Sequence, residues 1–117
     1  MDVYKECYFT NSDGLSQYYR DYAKDDGGEG EVMLCMPGLT RNSRDFAKAA
    51  IQLRSHFRVI CVEQRGRGKS AYDSQPERYV PPVYVKDMFA LIEHLKVDSV
   101  HVFGTSLGGL MAMMMQV

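Results

Sequence analysis

Apolar and polar positions along the chain change their spacing several times, and each change marks a predicted strand, helix or turn. Residues 4–10 and 15–23 are rich in aromatic side chains, and the turn-forming sequence NSDG lies between them at 11–14. This pattern predicts a β-hairpin. The following segment, KDDGGEGE at 24–31, consists of glycine and charged residues and is predicted to be a loop.

Three short, continuous apolar runs follow, at 32–36, 57–63 and 99–103. Such runs are typical of strands that are covered on both faces, as in a parallel sheet. Two intervening stretches carry apolar residues at helical spacing, and a further helix is predicted from residue 107 onward. The first stretch has Ser43 as its predicted N-cap. The predicted buried stripes are Phe46, Ala49, Ala50 and Leu53 in the first stretch, and Val85, Met88, Phe89, Ile92 and Leu95 in the second.

The order of these elements predicts the fold class. A hairpin followed by strand, helix, strand, helix, strand and helix is the alternation of an α/β protein with a parallel sheet. The last helix, LGGLMAMMMQV at 107–117, is apolar on nearly every side, and its methionines are expected to fill a core. In a complete α/β domain such a helix is buried between further elements. We therefore expect residues 1–117 to form a partial domain, the N-terminal half of such a sheet without its C-terminal half, with possible self-association through this helix.

Composition and charge narrow the expected partners. The 117 residues are 45% hydrophobic and 25% charged, as in a soluble globular domain. The formal net charge of −1 gives no electrostatic reason to expect nucleic acid or an anionic membrane, so a small molecule is the expected partner. No signal-peptide pattern and no membrane-length apolar run is visible, and the predicted location is the cytoplasm. Cys7, Cys35 and Cys61 are expected to be free thiols.

Residues 104–108, Gly-Thr-Ser-Leu-Gly, fit the pattern G-x-S-x-G of a nucleophile elbow. They follow a predicted strand and begin a predicted helix, which is the setting that the pattern requires. The turn is so tight that side chains at Gly104 and Gly108 would collide with neighbouring backbone. Such a turn would raise the Ser106 hydroxyl above the end of the sheet as a nucleophile, with the Leu107 N–H as an oxyanion donor. The alternative is a glycine-rich helix start without chemistry.

Two further segments, together with the elbow, resemble the α/β-hydrolase fold family. Pro37 and Gly38 stand where that family has a His-Gly or Pro-Gly turn after the corresponding strand. The segment EQRGRGKS at 63–70 is similar to the family's D-x-R-G-x-G-x-S loop, with Glu63 in place of the usual aspartate. That replacement leaves one loop-shaping contact open.

Within the family, the sequence looks most like small bacterial-type hydrolases and esterases with RGRGxS followed by YVxDM, here 65–70 and 84–88. The resemblance implies a serine hydrolase that, in its complete form, acts on an ester-like or other acyl bond through an acyl-enzyme. It implies that the Leu39 N–H is the second oxyanion donor, and it implies no metal or organic cofactor. Serine at position 106 argues against the dehalogenases and epoxide hydrolases of the family, which use a carboxylate there.

The segment GRGKS at 66–70 also matches the end of a phosphate-binding P-loop. The first glycine of that motif would be residue 63, which is Glu63, and a carboxylate there would repel phosphate. A solvated surface loop is therefore the expected state of Arg65, Arg67 and Lys69.

Three histidines are candidates for the base that would activate Ser106. His56 and His94 are predicted at the sheet edge opposite the carboxyl ends of the strands, where ligands bind in such folds. Roughly 16 Å of extended chain separates His101 from Ser106. The family's order is serine, acid, histidine, so the acid and the histidine are expected beyond residue 117, as is the lid that shapes the substrate pockets.

Because the acid and the histidine are not found among residues 1–117, three functional hypotheses remain open. The first is an enzyme in its complete form, with the 117-residue chain alone inactive or very weak. The second is a catalytically incomplete fragment or a non-catalytic interaction protein that retains the elbow. The third is an enzyme whose acid and histidine are supplied by another chain.

Overall fold

The structure is a computed structural model that describes residues 3–38 and 46–116. These residues form five strands and three α-helices in the predicted order, and Ser43, the predicted N-cap, lies outside them. The elements are β1 (Lys5–Thr10), β2 (Ser16–Tyr22), β3 (Val32–Met36), α1 (Ala47–Leu53), β4 (Arg58–Val62), α2 (Pro81–Leu95), β5 (Val100–Gly104) and α3 (Leu107–Met114), with a short 3-10 helix at Pro76–Arg78 before α2.

All five strands belong to one sheet with the order β1-β2-β4-β3-β5. The β1-β2 hairpin is antiparallel and joins the sheet through an antiparallel pairing of β2 with β4. Strand β3 runs parallel to both β4 and β5, and its Leu34 is in register with Ile60 and Val102. The expected α/β fold class, an antiparallel hairpin followed by parallel β-α-β-α-β-α, is confirmed. Strands β3, β4 and β5 end at the same edge of the sheet, here called the carboxyl edge, and begin at the amino edge.

Helices cover both faces of the sheet. On one face α1 packs through Phe46 and Ala50 against Cys35 and Cys61 of the central strands. On the other face α2 and α3 pack against the remaining inward residues, a core that consists of Phe9, Tyr19, Val32, Leu34, Met36, Ile60, Val62, Tyr84, Val85, Met88, Leu91 and Met111. Because β3 and β4 are covered on both sides, nearly all of their residues are buried, as their continuous apolar runs predict.

The buried face of α2 differs from the predicted stripe. Val85 and Met88 are buried as expected, but Phe89 is 45% exposed. Asp87 and Leu91 are fully buried in its place. Asp87 can be buried because it forms an ion pair with the buried Arg65, a contact that a hydrophobic pattern does not detect.

The apolar helix α3 is buried along one side only. Gly108 and Met111 face the sheet, whereas Leu110 and Met114 are exposed and Met113 is 71% exposed. Met111 therefore fills the core of residues 1–117, whereas Met113 and Met114 are exposed, as expected for this helix in a partial domain. No helix within the described ranges is both long and apolar enough to cross a membrane.

Candidate functional site

Ser106 lies at the junction between β5 and α3, at the carboxyl edge of the sheet. Strand β5 ends at Gly104 and helix α3 begins at Leu107. The backbone of Ser106 has φ 54° and ψ −116°, and the residue is exposed. A positive φ in a residue other than glycine costs about 1–3 kcal/mol and persists only where the surroundings enforce it.

Backbone contacts on both sides enforce this turn. A Cβ at Gly104 would overlap the carbonyl oxygen of Gly108, and a Cβ at Gly108 would overlap the carbonyl oxygen of Met36. The Thr105 N–H donates a hydrogen bond of 3.2 Å to the same Met36 oxygen. The start of α3 is therefore packed directly against the end of β3, and glycine is the residue type that permits this approach.

The first of the two expected oxyanion donors, the Leu107 N–H, lies at the start of α3. Leu107 is the first residue of α3, so its N–H belongs to the first helical turn, which has no partner within the helix. The next amide, of Gly108, donates to the Thr105 carbonyl at 2.9 Å. Leu39 lies outside the described residues. Pro37 and Gly38, which precede Leu39, are buried directly after β3 at the carboxyl edge.

The loop after β4 is shaped by Glu63, the residue that departs from the family pattern. Its carboxylate accepts a hydrogen bond of 2.7 Å from the Lys69 N–H. Its carbonyl oxygen accepts one of 2.6 Å from the Ser70 hydroxyl, which in turn accepts the Tyr18 N–H at 2.9 Å. A Cβ at Gly68 would overlap the Glu63 carboxylate. The Lys69 amide, which a P-loop would direct at a phosphate, is therefore directed at the Glu63 carboxylate.

Arg65 is at the centre of a buried ionic cluster, and the expectation that it is solvated is wrong. Its side chain is 0% exposed. It donates two hydrogen bonds to Asp87 of α2, from Nε to Oδ2 at 2.9 Å and from Nη2 to Oδ1 at 2.6 Å. Its Nη1 lies 2.7 Å from Asp73 Oδ2 and 3.0 Å from Asp13 Oδ2. The cluster therefore joins the loop after β4 to α2 and to the β1-β2 turn.

The pKa values of Asp87 and Asp73 are shifted in opposite directions. Loss of hydration raises the pKa of Asp87, and the Arg65 guanidinium only partly opposes this effect. Burial also acts to raise the pKa of Asp73. There it is outweighed by the hydrogen bond from the Gln75 N–H and by Arg65 and Arg78, so the pKa of Asp73 lies below its ordinary value.

The three histidines lie away from the elbow. His101 is exposed on β5, and its Nε2 is 2.9 Å from Glu31 Oε2, at the amino edge. His94 is in the last turn of α2, with its ring centroid 6.1 Å from that of Phe9. His56 is exposed just before β4. Among residues 3–38 and 46–116, no group of three or more His, Cys, Asp or Glu side chains is arranged to hold a metal ion.

Comparison with known proteins agrees with this architecture. The family model described as the alpha/beta hydrolase fold matches residues 31–115, from the residue before β3 to the end of α3. A 3-hydroxybutyrate-oligomer hydrolase of Cupriavidus necator is 46% identical over 82 residues, which are 70% of this chain and 28% of that protein. A proline iminopeptidase of Lactobacillus crispatus is 32% identical over 103 residues, 86% of this chain and 34% of that protein.

A solved structure is similar over almost the whole chain. The crystal structure of an alpha/beta hydrolase from Novosphingobium aromaticivorans superposes with a TM-score of 0.89 and 44% sequence identity, covering 97% of this chain and 39% of that one. The chain thus spans about a third of the length of the relatives that it matches. The strand order, the turn at Ser106 and a family match that includes β3 through α3 lead to one conclusion: the chain belongs to the α/β-hydrolase fold family.

Proposed function

We propose that the complete protein is a serine hydrolase and that Ser106 is its nucleophile. The observation that supports this most strongly is the backbone of Ser106, which keeps φ 54° although it is not glycine. Strain of this kind is retained at functional sites because it places a side chain where an unstrained turn would not. Here the strained turn leaves the residue exposed at the carboxyl edge, where ligands bind in open α/β sheets.

In the proposed reaction, Ser106 Oγ attacks the carbonyl carbon of an ester-like or other acyl substrate while its proton passes to a general base. The N–H groups of Leu107 and Leu39 donate hydrogen bonds to the oxyanion that forms. The intermediate then collapses, the base returns the proton to the leaving group, and the acyl group stays on Oγ. Water releases it as an acid and restores the hydroxyl. Each oxyanion donor typically contributes about 10²- to 10³-fold to the rate, and a positioned base about 10²- to 10⁴-fold.

The general base and its orienting acid are proposed to lie in the part of the protein that follows Ser106. In this family the serine comes first, the acid second and the histidine last. The described histidines support this assignment, because His101 is paired with Glu31 at the amino edge and His94 packs near Phe9. The chain alone is therefore proposed to be inactive or very weak.

The proposed substrate class is a small ester. The relative with 46% identity is named a 3-hydroxybutyrate-oligomer hydrolase, and hydroxy acids join into oligomers through ester bonds. The proline iminopeptidase is a more distant relative, at 32% identity, so cleavage beside proline is the second substrate to test. The proposed reaction uses no metal or organic cofactor.

The test is the activity of the full-length protein toward 4-nitrophenyl butyrate, 3-hydroxybutyrate dimer and proline 4-nitroanilide. Ser106→Ala should lower kcat/KM by at least about 10⁴-fold, because it removes the attacking oxygen. Ser99→Ala is the matched control: Ser99 is also an exposed serine, but it precedes β5 at the amino edge. Equal activity of the Ser106→Ala variant and the unmodified protein would refute the proposal.

Covalent labelling separates the proposal from the other two hypotheses. A fluorophosphonate should modify Ser106 in the full-length protein and much more slowly in the 117-residue chain, which lacks the proposed base. Rapid labelling of the chain alone, lost in Ser106→Ala, would show that the chain is complete by itself. Activity that returns only when a separate C-terminal chain is added would support a site shared between two chains. Absence of labelling and turnover in the full-length protein would support a non-catalytic protein.

A further inference from the structure

An open cleft of about 860 Å³ lies at the amino edge of the sheet and is distinct from the elbow. Its walls include Val32 at the start of β3, Arg58 at the start of β4 and Leu95 at the end of α2. The five residues of β3 extend about 16 Å, so the length of the sheet separates this cleft from Ser106. The proposed hydrolase chemistry leaves it without a role.

The charged residues of the cleft are mostly basic. Two acidic residues, Asp21 and Glu29, line it together with five basic ones. The basic residues are Lys5, Lys24, Arg54, Arg58 and Lys96. The cleft is therefore positive although the chain as a whole has a net charge of −1.

Local pairing neutralises only part of this positive charge. Arg58 forms a bidentate pair with Asp21, at 3.0 and 2.7 Å, and Lys24 is 3.1 Å from Asp26. Lys5, Arg54 and Lys96 form no ion pair with any residue in the described ranges.

Arg54 is held toward the cleft by its own hydrogen bond. Its Nε donates to the Ala23 carbonyl at 3.0 Å, which fixes the guanidinium beside the cleft. Lys5 and Lys96, which also line the cleft, are exposed. Three cations without a carboxylate partner, together with one such carboxylate, Glu29, therefore line this concave surface, and the cleft keeps an excess of positive charge.

The remaining walls limit the size of an occupant. Gly28 and Gly30 bring backbone close to the cleft, and Val97 adds an apolar patch. A second, smaller cleft adjoins the first, shares Lys96 and Glu29 with it, and is also lined by Glu31 and Asp98. The Glu31 and Asp98 carboxylates make that adjoining surface less favourable for an anion than the first cleft. Its volume lies within the range of small-molecule sites, about 300–1,000 Å³.

We propose that this cleft binds a small polyanion, a molecule with two or more neighbouring phosphate or carboxylate groups. Several cations around one cleft bind a multiply charged ligand better than a single anion, because each anionic group gains its own partner. The site is independent of the Ser106 chemistry.

The test measures binding of tripolyphosphate and of citrate to the 117-residue chain by calorimetry at low ionic strength. Tripolyphosphate tests phosphate groups, citrate tests carboxylate groups, and inorganic phosphate tests a single anion. The double variant Lys5→Gln/Lys96→Gln should raise the Kd of the bound polyanion about tenfold. Lys48→Gln/Lys86→Gln is the matched control, since it removes two exposed positive charges that do not line the cleft.

Saturable binding of one polyanion, weakened in the cleft variant and unchanged in the control, is the expected result. Equal weakening in both double variants would show attraction by overall charge and would overturn the proposal. Absence of saturable binding of either polyanion, or equal affinity for inorganic phosphate, would also overturn it. Circular dichroism of both variants establishes that they keep the fold of the unmodified chain.

Discussion

The carbonyl oxygen of Met36 occupies the space into which a side chain at Gly108 would project. The same oxygen accepts the Thr105 N–H at 3.2 Å. The end of β3 and the start of α3 are therefore in direct backbone contact. Because Pro37 and Gly38 continue from Met36, a displacement of α3 would also move the segment that leads to the proposed oxyanion donor at Leu39.

This contact predicts opposite effects for two adjacent glycines. Gly108→Ala should destabilise the chain by about 1–3 kcal/mol, because its Cβ overlaps backbone that cannot rotate away. Gly109→Ala is the matched control, since the nearest atom to its Cβ outside the backbone of α3 itself would be the Gly104 carbonyl oxygen, at an ordinary contact distance of 3.5 Å. It should stabilise helix α3 by up to about 1 kcal/mol. Urea unfolding of both variants measures the difference, and two equal changes would contradict the packing described.

The sequence predicts the elements and their order because the physical signals are local. Continuous apolar runs at β3 and β4 follow from burial on both faces, and the NSDG turn follows from the chemistry of hairpins. The steric need for glycine at 104 and 108 could also be derived, since a strand that turns at once into a helix leaves no space for a Cβ.

Other features could not be predicted, because they depend on contacts between distant segments. The sequence RGRGK predicts that Arg65 lies on the surface. In the fold it is surrounded by three carboxylates from other segments, those of Asp87, Asp73 and Asp13. Asp87 is therefore buried on α2, whereas Phe89, two residues later, is exposed. A hydrophobic pattern treats every charged residue as outward-facing, so it fails where a buried charge has a buried partner.

Two bidentate Arg–Asp pairs of similar geometry allow burial to be tested directly. Asp87→Asn should lower the free energy of unfolding by about 3 kcal/mol, because it removes a negative charge that balances the charge of the fully buried Arg65. The value lies at the lower end of the usual range because Asp73 and Asp13 remain. Asp21→Asn breaks the pair with Arg58, which is 33% exposed, and should cost about 1 kcal/mol or less. Chemical unfolding at neutral pH compares them, and equal losses would contradict a role for burial.

The lowered pKa of Asp73 predicts a specific loss of stability in acid. In the folded chain the hydrogen bond from the Gln75 N–H and the Arg65 guanidinium stabilise the charged carboxylate against the opposing effect of burial. They hold its pKa below the ordinary value of 3.8. The resulting stabilisation is present above that ordinary value and is lost as the pH falls through the lower pKa of the folded state. Asp73→Asn should therefore make the free energy of unfolding less dependent on pH between about 5 and 3.

The control for this pH series is Asp25→Asn, in the exposed loop between β2 and β3. The Asp25 carboxylate forms no ion pair with any residue that the structure describes. The Asp25→Asn variant should keep the acid dependence of the unmodified chain in thermal unfolding measured across the pH range. A pH dependence that is identical in the Asp73→Asn variant and the unmodified chain would show that Asp73 is not stabilised as a carboxylate.

The exposed side of α3 predicts concentration-dependent association of the 117-residue chain. Leu110, Met113 and Met114 are exposed on this helix, at positions three and four residues apart, so they share one side of it. Contiguous apolar surface of this kind favours contact between molecules, because burial of one large apolar side chain contributes about 1.5–3 kcal/mol. Met113→Lys should therefore weaken association by at least about tenfold in sedimentation equilibrium.

Ile51→Lys is the matched control, since Ile51 is 50% exposed on α1, which covers the opposite face of the sheet. A chain that stays monomeric at every concentration, or that responds equally to both substitutions, would contradict association through α3.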